Sequence, residues 1–261
     1  MRVLHVFALA LMVALGAPGA GRAREADLAL VLAIDCSYSI DDSEFDQQRF
    51  GLAAAFLDPR VVAAIGTGAA GAILVTVVQW SNSASQVQVL PWTRVAGLAD
   101  AAGVAERLVA MKRRTLEGGT SISAAIDFSR GLLADPALRA ARRVIDVSAD
   151  GRNNNGRDVR AARDAALAAG ITVNGLVILN AVPTLGYYFR RSVLAGDASF
   201  VVEALSYEDY GDAMLAKLVR EITGNMLSRR APPPDAPWDV AKARGAPLPS
   251  TRIGEGEEAR R

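Results

Sequence analysis

The chain has 261 residues, and its 29 Lys and Arg against 28 Asp and Glu leave a formal net charge of +1. That balance gives no basis for expecting nucleic acid or anionic lipid as the main partner. The only histidine is His5 and the only cysteine is Cys36. Beyond its first residues the chain therefore cannot run a Ser-His-Asp or Cys-His mechanism, build a His-ligated zinc site or close an internal disulfide.

At the start, Arg2 precedes an apolar stretch from Val3 to Leu15, and Gly16 and Pro18 follow. This is the layout of a secretory signal peptide, residues 1–23, with cleavage expected after Ala23 and Ala20 as the alternative. The apolar run falls short of the ~20 residues that span a bilayer. No twin arginine and no cysteine near the cleavage position indicates folded export or lipid anchoring. The expected product is periplasmic or secreted and inserts in no membrane after cleavage. About 240 residues remain, enough for one well-buried domain and a tail.

Apolar strand-like runs then alternate with helical patterns, which predicts an α/β fold, a doubly wound and mostly parallel sheet covered on both faces. Leu28 to Ile34 is almost continuously apolar, as a buried central strand is. A helix is expected from Ser43, a plausible N-cap, to Leu57. Ala72 to Trp80 reads as a second strand. After the turn Ser81, Asn82, Ser83, the run Gln86 to Leu90 reads as its antiparallel hairpin partner and so as an edge strand. Helices are expected over Leu98 to Met111 and Ser121 to Leu133, a strand over Arg143 to Ala149, a helix over Arg157 to Ala169 and a strand over Ile171 to Ile178. A short strand at Phe200 to Val202 and a helix from Tyr207 to about Leu227 complete the domain, residues 24–228. From Arg229 the composition turns to Pro, Ala, Gly and charge, so 229–261 reads as a Pro-rich flexible tail.

Several features have ordinary readings. Lys112, Arg113 and Arg114, and Arg139, Arg142 and Arg143, read as solvated helix faces. Gly66, Gly68 and Gly71 spell G-x-G-x-x-G, but a helix precedes them and a strand follows. That is the reverse of the strand-to-helix order a dinucleotide loop needs, so they read as a flexible connection. Asp146 lies inside a strand and needs a partner, for which Thr172 and Asn174 on the next strand are in place.

The residues that carry chemistry begin where the first strand ends. Asp35, Ser37 and Ser39 put a carboxylate and two hydroxyls at alternate positions, hard oxygen donors that suit Mg²⁺, Mn²⁺ or Ca²⁺. Gly118, Gly119, Thr120, Ser121 and Ile122 place a hydroxyl in a glycine loop before a helix, with Thr120 as its cap. Ser148, Ala149, Asp150 and Gly151 place a carboxylate just past a strand. Tracing strand directions with right-handed crossovers brings Asp35, Ser37, Ser39, Thr120 and Asp150 to the carboxyl edge of the sheet, where open α/β sheets put their sites.

These three segments, in this order, resemble the von Willebrand factor A family, whose metal-ion-dependent adhesion site has Asp-x-Ser-x-Ser, then a Thr, then an Asp. The resemblance spans residues 27 to 228, and Val144 to Gly156 is especially similar to exported bacterial members without an assigned role. It implies a Rossmann-like sheet and one divalent cation, Mg²⁺ first with Mn²⁺ or Ca²⁺ as alternatives. Ser37, Ser39 and Thr120 would be direct ligands, and Asp35 and Asp150 would act largely through water. An ion with few charged ligands stays electrophilic and can take an Asp or Glu carboxylate from a protein partner. Asp41, Asp42 and Glu44 resemble the second metal site of integrin β chains, although acids at a helix N-terminus are common. Cys36 reads as a buried, inert thiol. Asn153 to Gly156 form a polar loop on the same edge, most simply the start of a helix. Tyr187, Tyr188, Phe189, Arg190 and Arg191 are either partner anchors or packing against the sheet.

The expected function is a metal-dependent binding module and not an enzyme. The alternatives are a metal-assisted hydrolase or phosphoryl-transfer enzyme on the same edge, or a structural envelope subunit with a vestigial site. Dehalogenase-like phosphatases need Asp-x-Asp where this chain has Ser37. Response-regulator receivers need a Lys after the fifth strand, and Lys112, Lys217 and Lys242 are all elsewhere.

Overall fold

The structure, a computed structural model, describes residues 26–115 and 118–224. The expected signal segment at 1–23, the tail at 229–261 and the end of the last helix near Leu227 lie outside the described residues. In chain order the elements are β1 (Ala26–Asp35), α1 (Asp42–Leu57), α2 (Pro59–Ile65), β2 (Ile73–Trp80), β3 (Gln86–Val95), α3 (Leu98–Val109) and α4 (Ile122–Leu133). They continue with β4 (Ala140–Ala149), α5 (Val159–Ala168), β5 (Thr172–Ile178), α6 (Leu185–Ser192), β6 (Val201–Ala204) and α7 (Tyr210–Thr223).

The six strands form one sheet in the order β3-β2-β1-β4-β5-β6. Only the β2–β3 pairing is antiparallel, so β3 is the antiparallel edge strand the sequence predicts. The alternate side chains of β1 define two cores. Leu28, Leu30, Leu32 and Ile34 pack with α1, α2, α3 and α7; Ala29, Val31 and Ala33 pack with α4, α5 and α6. Both faces of the central strand are covered, which is why it reads as continuously apolar. The order of strands reverses between β1 and β4, so the crevice at their carboxyl ends is the place where such sheets bind ligands. Among the described residues, no helix is long and apolar enough to cross a membrane.

Several expectations are corrected. α1 is capped by Asp41 and not by Ser43: Asp41 Oδ1 accepts from Glu44 N at 2.8 Å, and Glu44 Oε2 accepts from Asp41 N at 2.9 Å. Thr120 is likewise not the cap of α4. Ser121 is, accepting from Ala124 N. The reversed glycine motif turns α2 into β2, and there Gly68 leaves room for Asp27, whose carboxylate accepts from Ala70 N at 3.0 and 3.1 Å. The two basic clusters are not solvated helix faces. Lys112 to Arg114 follow α3, while Arg142 and Arg143 lie on β4 and donate to the carbonyls of Ile222 and Ala169 near the C-terminal ends of α7 and α5.

The partner of Asp146 also differs from the expectation. Asn174 bonds Glu221 and Phe200 N instead, and Lys217 of α7 reaches Asp146 at 2.8 Å and Glu221 at 2.5 Å. Lys217, Asp146 and Glu221 are 0%, 1% and 2% exposed. A charge that expensive to bury takes an opposite charge in preference to a neutral amide.

Candidate functional site

Asp35 is the last residue of β1, and its carboxylate folds back over the loop, accepting from Ser37 N at 2.8 Å. This turn places Ser37 and Ser39 on one side, with their hydroxyl oxygens 3.3 Å apart. Ser39 Oγ donates to Asp150 Oδ1 at 2.9 Å, across 111 residues of sequence. Thr120 Oγ1 donates to Ser37 Oγ at 3.4 Å. The structure therefore brings all five sequence-predicted residues together, on loops at the carboxyl ends of β1 and β4 and just before α4. Three of them, Ser39, Thr120 and Asp150, line a hollow of about 570 Å³ together with Arg152.

Asp35, Ser37, Thr120 and Asp150 are buried, whereas Ser39 is exposed. Burial, then the neighbouring Asp150 charge, pushes the Asp35 carboxyl up to about 8 against the bonds from Ser37. Burial also raises Asp150, opposed by the hydroxyls of Ser39 and Tyr207. The Asp150 charge acts on Asp35, and Asp35 Oδ2 is buried without a hydrogen-bond partner among the described residues. A hard divalent cation fits this donor set of three hydroxyls and two carboxylates. Its charge would offset the burial that raises both acids and the Asp150 repulsion that adds to it at Asp35.

The sequence alone did not identify what holds Thr120 in place. Asn154 Oδ1 accepts from Thr120 N at 2.8 Å, and Asn154 N donates back to Thr120 O at 2.9 Å. Asn153 Oδ1 accepts from Ser123 N, and Asn155 Oδ1 from Ser83 N. The three asparagines read as a helix start are thus a clasp joining the loop after β4 to the loops before α4 and β3. Gly119 is required by the clasp, because a Cβ there would lie 2.8 Å from Asn154 Oδ1. From the other side, Gln48 Nε2 donates to Asp35 O. Arg113 donates to the carbonyls of Ile40 and Asp41, fastening the first loop to the segment after α3.

The other candidates have roles of their own. Asp41 and Glu44 are committed to each other in the cap, and Asp42 is exposed. Cys36 is fully buried, and desolvation pushes its thiol up to about 12, which leaves it inert at neutral pH. Of the aromatic cluster, Phe189 is core and packs over Gly175, Tyr187 is 61% exposed, and Tyr188 carries the Arg152 guanidinium over its ring.

A family model described as "Protein of unknown function (DUF1194)" matches residues 25–226. Among curated proteins, none matches the chain. Solved structures that resemble it include a von Willebrand factor type A protein from Catenulispora acidiphila, at 15% identity and TM-score 0.54 over 76% of this chain and 43% of that one. Proximal thread matrix protein 1 from the mussel byssus, with a zinc-occupied MIDAS motif, gives 13% and 0.52 over 76% and 46%. Manganese-loaded TRAP protein from Plasmodium vivax gives 14% and 0.51 over 77% and 74%. The chain spans less than half the length of the first two. At these identities the likeness establishes the fold.

Proposed function

We propose that this chain, which belongs to the family described as Protein of unknown function (DUF1194) and carries a von Willebrand factor A-like domain, is an exported binding module that engages a carboxylate of a protein partner through one divalent cation. The observation that carries this reading is the convergence of Asp35, Ser37, Ser39, Thr120 and Asp150 at one edge of the sheet, with Asp35 Oδ2 buried and without a hydrogen-bond partner among the described residues. Zinc in the MIDAS motif of the mussel protein and manganese in TRAP support the metal. Ser37, Ser39 and Thr120 would hold the ion, with Asp35 and Asp150 behind them, and Mg²⁺ is the first candidate. When bound, the ion supplies an electrophilic centre for an Asp or Glu of the partner. The signal-like residues 1–23 support a periplasmic or secreted location.

This reading is not an enzymatic one. Ser37 occupies the position where a phosphoryl-transfer aspartate would stand.

The test is thermal unfolding of the full chain in chelator and in Mg²⁺ or Mn²⁺. A rise in melting temperature is expected, with an affinity on the order of 10⁻⁴ to 10⁻³ M because only two carboxylates serve the ion. No shift at tens of millimolar metal would remove the proposal.

The asparagine clasp gives a second expected result. Asn154→Ala removes the acceptor that orients Thr120, and groups that position metal ligands typically contribute about 10–100-fold in affinity. Titration calorimetry with Mn²⁺ should show a loss of that size. Unchanged affinity would mean that the loop holds its shape without the clasp.

A further inference from the structure

Between the outer strand β3 and the C-terminal end of α3 lies a groove of about 430 Å³ that shares no lining residue with the hollow at the metal edge. Buried Leu90 and Leu108 and the partly buried Met111 give it an apolar floor. Arg107, Lys112 and Arg114, all exposed, line it as well, and no Asp or Glu among the described residues does. None of the three has an ion-pair partner among the described residues. Unpaired cations beside an apolar floor are complementary to a ligand that brings both carboxylates and apolar side chains.

Two of the three cations stand on a fixed backbone. Gln79, fully buried, donates from Nε2 to Lys112 O at 2.9 Å and accepts from Arg114 N at 2.6 Å. Arg113 between them turns away to the carbonyls of Ile40 and Asp41. A rim ordered before binding loses less freedom when a ligand arrives. Among the described residues no strand pairs with β3 on its outer side, but Pro91 in the groove has no N–H to offer to an added strand. Recognition here falls to side chains. The lining has no aromatic ring on which a nucleobase could stack, and the chain's net charge is only +1.

We infer that this groove docks an acidic peptide segment of a protein partner, its carboxylates on Arg107, Lys112 and Arg114 and its apolar side chains on Leu90, Leu108 and Met111. The surface works without the metal.

The experiment is fluorescence anisotropy of the full chain in chelator, with a labelled peptide of alternating Glu and Leu as the probe and its Lys-Leu counterpart as control. Saturable binding of the Glu peptide is expected, weakening as salt rises. The double variant Arg107→Glu, Arg114→Glu should bind at least about tenfold more weakly, as loss of a complementary charged surface does. Met111→Ala should weaken binding with the salt dependence unchanged, and Thr120→Ala should leave it intact. If the double variant loses its circular dichroism, Arg114→Gln serves in its place. Equal binding of the Lys peptide, or displacement of the Glu peptide by oligothymidylate at equal charge, overturns the proposal. So does a dimer in sedimentation velocity that the double variant abolishes, because a second copy would then be the occupant.

Discussion

Lys217→Met is expected to destabilise the domain by about 3–5 kcal/mol, the size of effect seen when one partner of a buried ion pair is removed. For a domain of this size that is a fall in melting temperature on the order of 10 °C. The ammonium serves two carboxylates, Asp146 on β4 and Glu221 one turn along α7, all three essentially without solvent. Methionine fills similar volume but removes the ammonium that both buried acids share. Burial first, then the Glu221 charge, already raises the Asp146 carboxyl above its ordinary value of 3.8, with Lys217 pulling the other way. A raised value means that the folded state binds the proton more tightly than the unfolded chain does. The stability this contributes is complete below the ordinary value and is lost as the pH climbs through the higher folded value. Without Lys217 that dependence should steepen, so the variant should be least impaired in acid. Asp146→Asn, in contrast, leaves one carboxylate for one ammonium and should flatten the pH dependence at little cost in stability. Combining Lys217→Met with Asp146→Asn and Glu221→Gln should recover much of the loss. Denaturant titrations from pH 4 to 8 check all of this, and a pH-independent Lys217→Met loss would place its cause in packing alone. Asp146→Asn should also leave Mn²⁺ affinity unchanged, because Asp146 is a structural residue and not a ligand.

The sequence was informative where one residue type answers to one physical demand. β1 is legible because both of its faces are covered. The five oxygen residues are legible because strand direction alone sends them to one edge. Boundaries failed where tertiary context decides. The sequence pattern ends β3 at Leu90, before Pro91, whereas the strand runs on to Val95; an edge strand has no outer ladder bond for proline to break. Helix α2 was missed although Asp58 caps it and Pro59 opens it, a start signal that was readable. Helix α6 was missed because its eight residues contain two arginines and three aromatics, a composition that reads equally as an exposed cluster. Lys217 as the partner of Asp146, and the asparagine clasp on Thr120, were not legible at all. Each joins residues more than 30 apart through a few hydrogen bonds or an ion pair, and such contacts leave no periodicity in sequence.

Thr120→Ala should abolish metal binding, and with it metal-dependent retention of a partner, while hardly changing the fold. Among the described residues the threonine hydroxyl makes one bond, to Ser37 Oγ at 3.4 Å. Everything else that positions this residue is backbone: its N–H donates to Asn154 Oδ1, and its carbonyl accepts from Asn154 N and Asn155 N. Alanine keeps all of these and also Cβ. Because Ser121 and not Thr120 caps α4, no cap is lost either, so the stability cost should stay below the ~1 kcal/mol of a lost cap. Asp150→Ala should be as damaging to binding but less clean, because it also strands the Ser39 hydroxyl that donates to it. Shortening the chain after Leu227 should leave metal affinity intact, since none of the five residues lies beyond Asp150 in sequence. The measurements are Mn²⁺ calorimetry and partner retention on immobilised protein from envelope extract, in Mg²⁺ and in chelator, with far-ultraviolet circular dichroism as the control on folding. If Thr120→Ala loses the metal but retains the partner as well as wild type does, the cation does not bridge to the partner and the carboxylate mechanism fails. If it retains the metal, the ion is not held by this loop and the assignment of Thr120 as a ligand fails on its own.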